Sequence, residues 1–168
     1  MAELIFVRHA EAEQKMTTDA ARRLTDKGQK QSQFLADLFA AELTEIDLFV
    51  QSEIVRSQET LQLLIGGASD LRIETTGLLY EVPPIEFIKW FKLKANRLNK
   101  VLVVGHESHM TEMIGWCIAR TQDVSIDIKK AGVVRLEIDD FNNILERKMS
   151  LTELVTFKKL KAQFRPAP

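Results

Sequence analysis

Short apolar runs alternate with amphipathic segments along the first half of the chain. Residues 4 to 7, Leu-Ile-Phe-Val, are β-branched or aromatic enough to predict a fully buried strand. Thr25 precedes a segment with apolar residues at helical spacing, so we expect a long helix with Thr25 as its N-cap. A second apolar run over 46 to 50 predicts another strand, and the helix after it is expected to end at Gly66 and Gly67.

The same alternation continues in the second half of the chain. A weaker strand is expected around residues 71 to 74, and Pro84 is expected to open a helix. Residues 101 to 105, Val-Leu-Val-Val-Gly, predict a third clear strand. Ser108 is expected to cap the helix that follows this strand.

The last apolar pattern has a period of two instead of 3.6. Apolar side chains alternate at Val134, Leu136 and Ile138, and a turn signal at Asn142 and Asn143 leads into Ile-Leu-Glu-Arg-Lys-Met. This pattern predicts an antiparallel hairpin near a sheet edge. Together with the alternating strands and helices, it predicts an α/β fold, a three-layer α/β/α sandwich with a mostly parallel central sheet.

Composition limits the number of domains and the kinds of partner. With 168 residues, 45% of them hydrophobic, the chain has enough material for one core, so residues 1–168 are expected to form a single domain. The balance of 23 basic and 24 acidic residues favours neither nucleic acid nor a membrane surface as a partner. A single cysteine, Cys117, and the lack of a basic leader before the first apolar run suggest a cytoplasmic protein.

Polar side chains follow the predicted strands at the points where these strands end. Because the carboxyl ends of parallel strands meet at one edge of a sheet, we expect these side chains to lie close together. Two of the three histidines in the chain are among them. The residues in these positions are Arg8, His9, Ser52, Arg56, Glu81 and His106.

The chemical character of these groups favours a phosphate ligand. Two guanidinium groups present paired donors that match tetrahedral oxygens, and helix N-termini near Ser52 and Ser108 are expected to add backbone N–H groups. A histidine held among cations stays neutral, so His9 keeps a ring lone pair with which it can attack phosphorus.

The same segments resemble the signature segments of the histidine phosphatase superfamily, and within it the small SixA-type phosphohistidine phosphatases. Val-Arg-His-Ala-Glu-Ala looks like the family's Arg-His signature, and Leu-Thr-Asp-Lys-Gly looks like its Leu-Thr-x-x-Gly step. Residues 52–60, Ser-Glu-Ile-Val-Arg-Ser-Gln-Glu-Thr, are similar to a Ser-Pro-x-x-Arg-x-x-Gln-Thr segment, with Glu53 where proline is usual. Leu-Tyr-Glu-Val and Val-Val-Gly-His are similar to the segments that carry the family's acid and its second histidine.

This resemblance implies a phosphatase that forms a covalent intermediate on a histidine and needs no metal or other cofactor. It implies that His9 is the nucleophile, that the phosphate is held by other strand-end residues, and that Glu81 is the acid. The residues implied to hold the phosphate are Arg8, Arg56 and His106. Further substrate-binding residues are expected at Arg22, which matches an arginine before the Leu-Thr step, and at Ser52 and Glu107.

The chain lacks the long insertions with which phosphoglycerate mutases cover their substrate, so we expect an open pocket. An open pocket suits the phosphohistidine of a signalling or phosphotransfer protein. Three alternatives are a broad small-molecule phosphomonoesterase, a phosphoglycerate mutase and a phosphoprotein-binding module without turnover.

Two further features of the sequence each allow more than one interpretation. The histidines His9, His106 and His109, with Glu107 or Glu112, could instead form a metal site, although Arg8 would place a fixed cation beside the ion. The basic tail over residues 157–165 is a phosphate or lipid patch or, as we expect, the solvated face of a terminal helix.

Overall fold

A six-stranded sheet runs through the computed structural model, which describes residues 1–14 and 18–164. The strands are β1 (Ala2–Arg8), β2 (Leu48–Ser52), β3 (Ile73–Thr76), β4 (Lys100–Gly105), β5 (Val133–Ile138) and β6 (Ser150–Val155). The helices are α1 (Asp26–Phe39), α2 (Val55–Ile65), α3 (Pro84–Lys94), α4 (His109–Ala119) and α5 (Phe157–Gln163). Short 3₁₀ turns cover Leu43–Glu45, Gly77–Leu79 and Phe141–Asn143.

The order of the strands places the ends of the parallel strands side by side. Across the sheet the order is β3-β2-β4-β1-β5-β6, and β1 to β4 run parallel to one another. In this register Arg8 of β1 lies opposite Gly105 of β4, and Gln51 of β2 lies opposite Val104. The residues that follow β1, β2 and β4 therefore leave the sheet side by side, at the carboxyl ends of these strands, as predicted.

Helices cover both faces of the sheet. Along β1, Leu4 and Phe6 belong to one buried cluster and Ile5 and Val7 to the other, because successive strand residues point to opposite faces. Helices α3 and α4 contribute to the first cluster, while α1, α2 and α5 contribute to the second. The predicted three-layer α/β/α sandwich is confirmed.

The hairpin at the sheet edge is confirmed, but its second strand was predicted too early. Strand β5 is antiparallel to β1, and β6 is antiparallel to β5 at the edge. Residues 144–149 form turns instead of a strand, since Phe141 and Ile144 are buried in the core and the Met149 N–H bonds to the Cys117 carbonyl. Strand β6 begins only at Ser150.

Two of the predicted helix starts are confirmed, whereas the capping role predicted for Ser108 and the helix start predicted at Ser52 are wrong. Thr25 caps α1 by accepting the Gly28 N–H, and Pro84 opens α3. Ser108 precedes α4, but its hydroxyl lies 3.5 Å from the Glu112 carboxylate and does not cap the helix. Ser52 closes β2 instead of opening α2, whose N-cap residue is Ile54; the Ser52 hydroxyl accepts the Ile54 N–H.

The Leu-Thr-x-x-Gly step has a physical explanation in the contact between α1 and the segment after β1. The Thr25 N–H donates to the Glu11 carbonyl over 3.0 Å. A Cβ atom on Gly28 would lie 1.9 Å from that same carbonyl oxygen, so only glycine allows this approach. The start of α1 is thereby held against the residues that follow His9. Separately, no helix in the described part of the chain is long and apolar enough to span a bilayer.

Candidate active site

The fold brings together the two histidines that follow β1 and β4. The ring centroids of His9 and His106 are 5.2 Å apart, and both side chains are buried. Arg56, in the first turn of α2, donates from Nε to His9 Nε2 over 3.3 Å. Arg8 precedes His9 at the end of β1. The predicted convergence of these four side chains is present in the structure.

The hydrogen bonds of His9 define its tautomer. Its Nδ1 lies 2.7 Å from the Ala10 carbonyl, which can only accept, so the ring hydrogen is on Nδ1. Nε2 then carries the lone pair, and it is Nε2 that accepts from Arg56. Burial lowers the pKa of His9 to about 3, and the positive charges of Arg56 and Arg8 act in the same direction. His9 is therefore a neutral base at physiological pH.

His106 is held by Ser52. The Ser52 hydroxyl lies 2.6 Å from His106 Nε2, and the same oxygen accepts the Ile54 N–H. Burial lowers the pKa of His106 to about 3, and the positive charge of Arg56 acts in the same direction. The Tyr80 ring packs edge-on against His106 with centroids 5.3 Å apart. Among the described residues, His106 Nδ1 is buried and has no hydrogen-bond partner.

Asp19 is the main partner of Arg56, and it is not among the residues predicted from the sequence. Arg56 donates from Nη1 to the Asp19 carbonyl over 2.8 Å and from Nη2 to its carboxylate over 2.9 Å. The side chain of Arg56 is only 5% exposed, so this pairing holds a buried charge in one orientation. The signal that could have located Asp19 is the long connection from His9 to Thr25, since such loops in small domains are often functional.

Arg22 and Tyr80 complete the surroundings of the Asp19 carboxylate. Arg22 Nη1 donates to Asp19 over 2.8 Å, and the Tyr80 hydroxyl donates to its other oxygen over 2.5 Å. The hydrogen bond from Tyr80 has the largest effect on the Asp19 carboxyl and, with that from Arg22, holds its pKa well below the usual range. The charge of Arg56 acts in the same direction. Arg22, expected to bind substrate, thus contacts the carboxylate that also binds Arg56.

Arg8 is half-buried beside these groups. Its Nη1 donates to the Ile128 carbonyl over 2.7 Å, and its Nε is buried without a partner among residues 1–14 and 18–164. Burial lowers the pKa of Arg8, while the charges of Glu107 and Asp127 oppose that change. An unpaired buried donor costs about 1 to 3 kcal/mol, a cost that a bound oxyanion would remove.

A cavity of about 570 Å³ opens next to His106. Three carboxylates line it, those of Glu81, Glu107 and Glu112, and no Lys or Arg side chain of the described residues does. Glu81 is exposed and has a left-handed backbone, with φ +54°. Glu107 is half-buried, and its carboxylate accepts the Thr111 hydroxyl over 2.7 Å, while burial raises its pKa. The cavity is thus an acidic space beside a cationic cluster.

The alternative of a metal site gains no support from the geometry. His109 Nε2 is 2.7 Å from the Val82 carbonyl, to which it donates, and His106 Nε2 is occupied by Ser52. Within the described ranges, no group of three or more His, Cys, Asp or Glu side chains is arranged to hold a metal ion.

Solved structures share this fold over almost their whole length. The protein histidine phosphatase SixA complexed with tungstate has a TM-score of 0.81 at 15% identity, covering 94% of this chain and 99% of that one. The alpha-ribazole phosphatase from Shigella flexneri has a TM-score of 0.77 at 16% identity, covering 92% and 96%. The mycobacterial glucosyl-3-phosphoglycerate phosphatase has a TM-score of 0.72 at 12% identity, covering 92% and 99%.

The sequence itself matches one family model. No curated protein matches the chain. The model of the histidine phosphatase superfamily, branch 1, matches residues 4–90, which is more than half of the chain and includes the segments around His9, Arg56 and Glu81. The chain therefore belongs to branch 1 of the histidine phosphatase superfamily.

Proposed function

We propose that this chain is a metal-independent phosphatase that removes phosphate from phosphohistidine in a protein, with His9 as the nucleophile. The observation that carries the proposal is the state of His9. Its Nδ1 hydrogen is fixed on a carbonyl, its Nε2 lone pair faces Arg56, and burial keeps the ring neutral. A neutral imidazole beside two guanidinium groups suits attack on a phosphoryl dianion.

In the first step, His9 Nε2 forms a bond to phosphorus while the bond from phosphorus to the leaving atom breaks. The phosphoryl oxygens are held by donors around His9. Arg8 supplies its Nε–H, which has no partner among the described residues. Arg56 supplies the Nε–H that faces His9 in the structure. These charged donors stabilise the negative charge that moves toward the leaving group.

His106 supplies a further donor because of its contact with Ser52. The Ser52 oxygen accepts the Ile54 N–H and lies 2.6 Å from His106 Nε2. In the proposed mechanism the Ser52 hydroxyl gives its own hydrogen to this nitrogen. The ring hydrogen of His106 is then on Nδ1, the buried atom without a partner among the described residues. Ser52 therefore acts as a positioning residue that selects the tautomer of His106.

Glu81 is the proposed acid and base. It protonates the leaving atom in the first step, and in the second it takes a proton from water, which attacks phosphorus and breaks the bond to His9 Nε2. Inorganic phosphate and free His9 result. Glu81 lines the cavity next to His106, and its left-handed backbone is the kind of strained conformation that proteins retain at functional positions.

The acidic cavity supports a phosphohistidine substrate over an anionic metabolite. A leaving group that occupies this cavity faces Glu81, Glu107 and Glu112. A carboxylate or second phosphate on the leaving group would be repelled, whereas an imidazole that leaves with a proton would be accepted. The similarity to a protein histidine phosphatase solved with tungstate, a tetrahedral oxyanion, also supports this substrate.

The experiment compares kcat/KM for a phosphohistidine peptide, the phosphoserine peptide of the same sequence, and 3-phosphoglycerate. We expect the phosphohistidine peptide to be hydrolysed at least about tenfold more efficiently than either ester. A preference for 3-phosphoglycerate would instead indicate a small-molecule phosphomonoesterase. Binding of inorganic phosphate without turnover of any substrate would indicate a module that only binds phosphate.

A further inference from the structure

A second groove, of about 580 Å³, is lined by Arg8 and shares no lining residue with the acidic cavity. Its cationic residues come from four parts of the chain: the end of β1, the first turn of α1, the segment before β5, and the start of α5 after β6. These residues are Arg8, Lys27, Lys129, Lys130 and Lys158. The only carboxylate among the described residues that line the groove is Glu11.

This concentration of positive charge differs from the chain as a whole, which has a formal net charge of −1. Two of the lysines have local partners, since Lys27 is 3.0 Å from Glu11 and Lys129 pairs with Asp127. The charge of Lys130 is felt at His9, where it contributes to the lowered pKa. Arg8 lines the groove and also belongs, with His9, Arg56 and His106, to the phosphate cluster. The Ala131 N–H donates to the Arg8 carbonyl over 3.1 Å, so Lys130 lies next to this cluster.

The lysine-rich lining of the groove suits an extended acidic chain better than one small anion. Its cations other than Arg8 are lysines, which act as separate hydrated point charges and do not clamp a tetrahedral ion as paired guanidinium forks do. Thr156, also in the wall, uses its hydroxyl to accept the Lys159 N–H of its own helix. Half-buried Phe157 adds an apolar surface against which a peptide can pack.

We propose that this groove, defined by the five cationic residues named above, docks an acidic segment of the phosphorylated protein while its phosphoryl group reaches His9. The inference rests on the proposed phosphatase function and adds the character of the partner. The cationic groove is lined by Arg8 and the acidic cavity by His106, so we place the carboxylates of the partner on the Arg8 side of its phosphorylated residue. Opposite charges of this kind raise the rate of productive encounter and fix orientation.

The test uses two phosphohistidine peptides that differ only in their flanking residues, one with four glutamates and one with four glutamines. We expect the glutamate peptide to have a kcat/KM about tenfold higher at low salt, because steering by opposite charge raises association rates by about this factor or more. The preference should decrease in 0.5 M NaCl, where the screening length is only a few ångströms. Equal kcat/KM values for the two peptides at low salt would overturn the proposal.

The variant that tests the groove is Lys129→Gln with Lys158→Gln, which removes two exposed charges. The matched control is Lys89→Gln with Lys148→Gln, which removes two exposed charges elsewhere, on α3 and before β6. The ratio between the two peptides should decrease severalfold in the groove variant and be retained in the control. An equal decrease in both variants would show that net charge alone sets the preference, contrary to the proposal.

Each peptide value is divided by the kcat/KM of the same enzyme for p-nitrophenyl phosphate, which has no flanking residues. Loss of turnover with all three substrates would contradict the proposed phosphatase function, whereas turnover without a peptide preference would contradict only the docking inference. Inhibition of glutamate-peptide hydrolysis by a single-stranded oligonucleotide but not by poly-glutamate would show that the groove binds nucleic acid. This result would also overturn the docking inference.

Discussion

The carboxylate of Asp19 lies 2.9 Å from Nη2 of Arg56, and the Asp19 carbonyl accepts from Nη1 of the same guanidinium over 2.8 Å. With the guanidinium held in this way, its Nε–H points at His9. The orientation of the Arg56 guanidinium, the proposed phosphate-binding group, is therefore determined by a residue in the loop between β1 and α1.

The first prediction concerns the effect of Asp19→Asn on stability. The pKa of Asp19 is held below its ordinary value of 3.8, so its ionised form stabilises the fold above that pH. We expect the variant to lose about 1 to 3 kcal/mol at pH 7, because the buried Arg56 charge loses its ionic partner. The free energy of unfolding in urea measures this loss.

The same measurement in acid tests the cause of the loss. Below pH 3.8, Asp19 of the unmutated protein takes up a proton when the chain unfolds. The difference in free energy of unfolding between the two proteins should therefore shrink toward zero as the pH decreases. Asp37→Asn, at an exposed position on α1, is the control and should change stability little at any pH. A loss that stays constant between pH 7 and pH 2.5 would contradict an ionic role for Asp19.

The second prediction concerns the titration of the histidines. Burial lowers the pKa of His9 and of His106 to about 3, and it also lowers the pKa of His109. Since the chain has only three histidines, NMR of the imidazole nitrogens can follow each one. We expect no protonation of His9 or His106 between pH 5 and pH 8. A midpoint near 6.5 for His9 would contradict the neutral nucleophile.

These lowered pKa values also affect stability. A histidine with a pKa near 3 in the folded chain and 6.5 in the unfolded chain takes up a proton on unfolding between these two values. The free energy of unfolding should therefore decrease as the pH falls from 6.5 toward 3. Replacing His106 by Gln should flatten this dependence, and an unchanged slope would mean that His106 is already protonated in the native state.

The third prediction concerns Ser52, which selects the tautomer of His106 in the proposed mechanism. Ser52→Ala should lower kcat/KM about tenfold to a hundredfold, the range seen when an oriented donor is lost. Ser32→Ala is the control, since Ser32 is equally buried, donates to the Gly28 carbonyl over 3.0 Å and belongs to α1. Equal losses of activity in the two variants would indicate a general effect of a lost buried hydroxyl.

The fourth prediction concerns Glu81 and depends on the leaving group. Glu81→Gln should change kcat/KM for p-nitrophenyl phosphate less than about threefold, because kcat/KM reports the first step and nitrophenolate leaves without a proton. With a phosphoserine peptide the loss should reach about a hundredfold or more, since the serine alkoxide must be protonated. Glu112→Gln, another carboxylate of the cavity, should not show this difference between substrates. Equal effects of Glu81→Gln on both substrates would contradict the acid role.

The sequence predicts the architecture well because apolar periodicity reports burial directly. The buried strands over β1, β2 and β4 appear as continuous apolar runs, and polar residues follow each of them. The parallel order then brings Arg8, His9, Arg56 and His106 to one sheet edge. These predictions need only the period of the pattern and the geometry of a parallel sheet.

The contacts that sequence reasoning missed depend on side chains from loops. Asp19 and Tyr80 lie outside the regular elements, where no periodicity indicates which way a side chain points. The hairpin strand was misplaced because Phe141 and Ile144 are buried by a turn, and an apolar residue in a turn looks the same in sequence as one in a strand. The Ser108 cap failed because its hydroxyl faces Glu112 and not the helix end.

The most direct test of the central claim is capture of the phosphorylated enzyme. The protein is mixed with a phosphohistidine peptide, denatured within milliseconds in cold alkali to preserve phosphoramidate bonds, digested, and examined by mass spectrometry. We predict one phosphoryl group on the peptide that contains His9, present in the native enzyme and absent in His9→Gln. Turnover by His9→Gln at the native rate, or a phosphoryl group only on His106 or His109, would contradict His9 as the nucleophile.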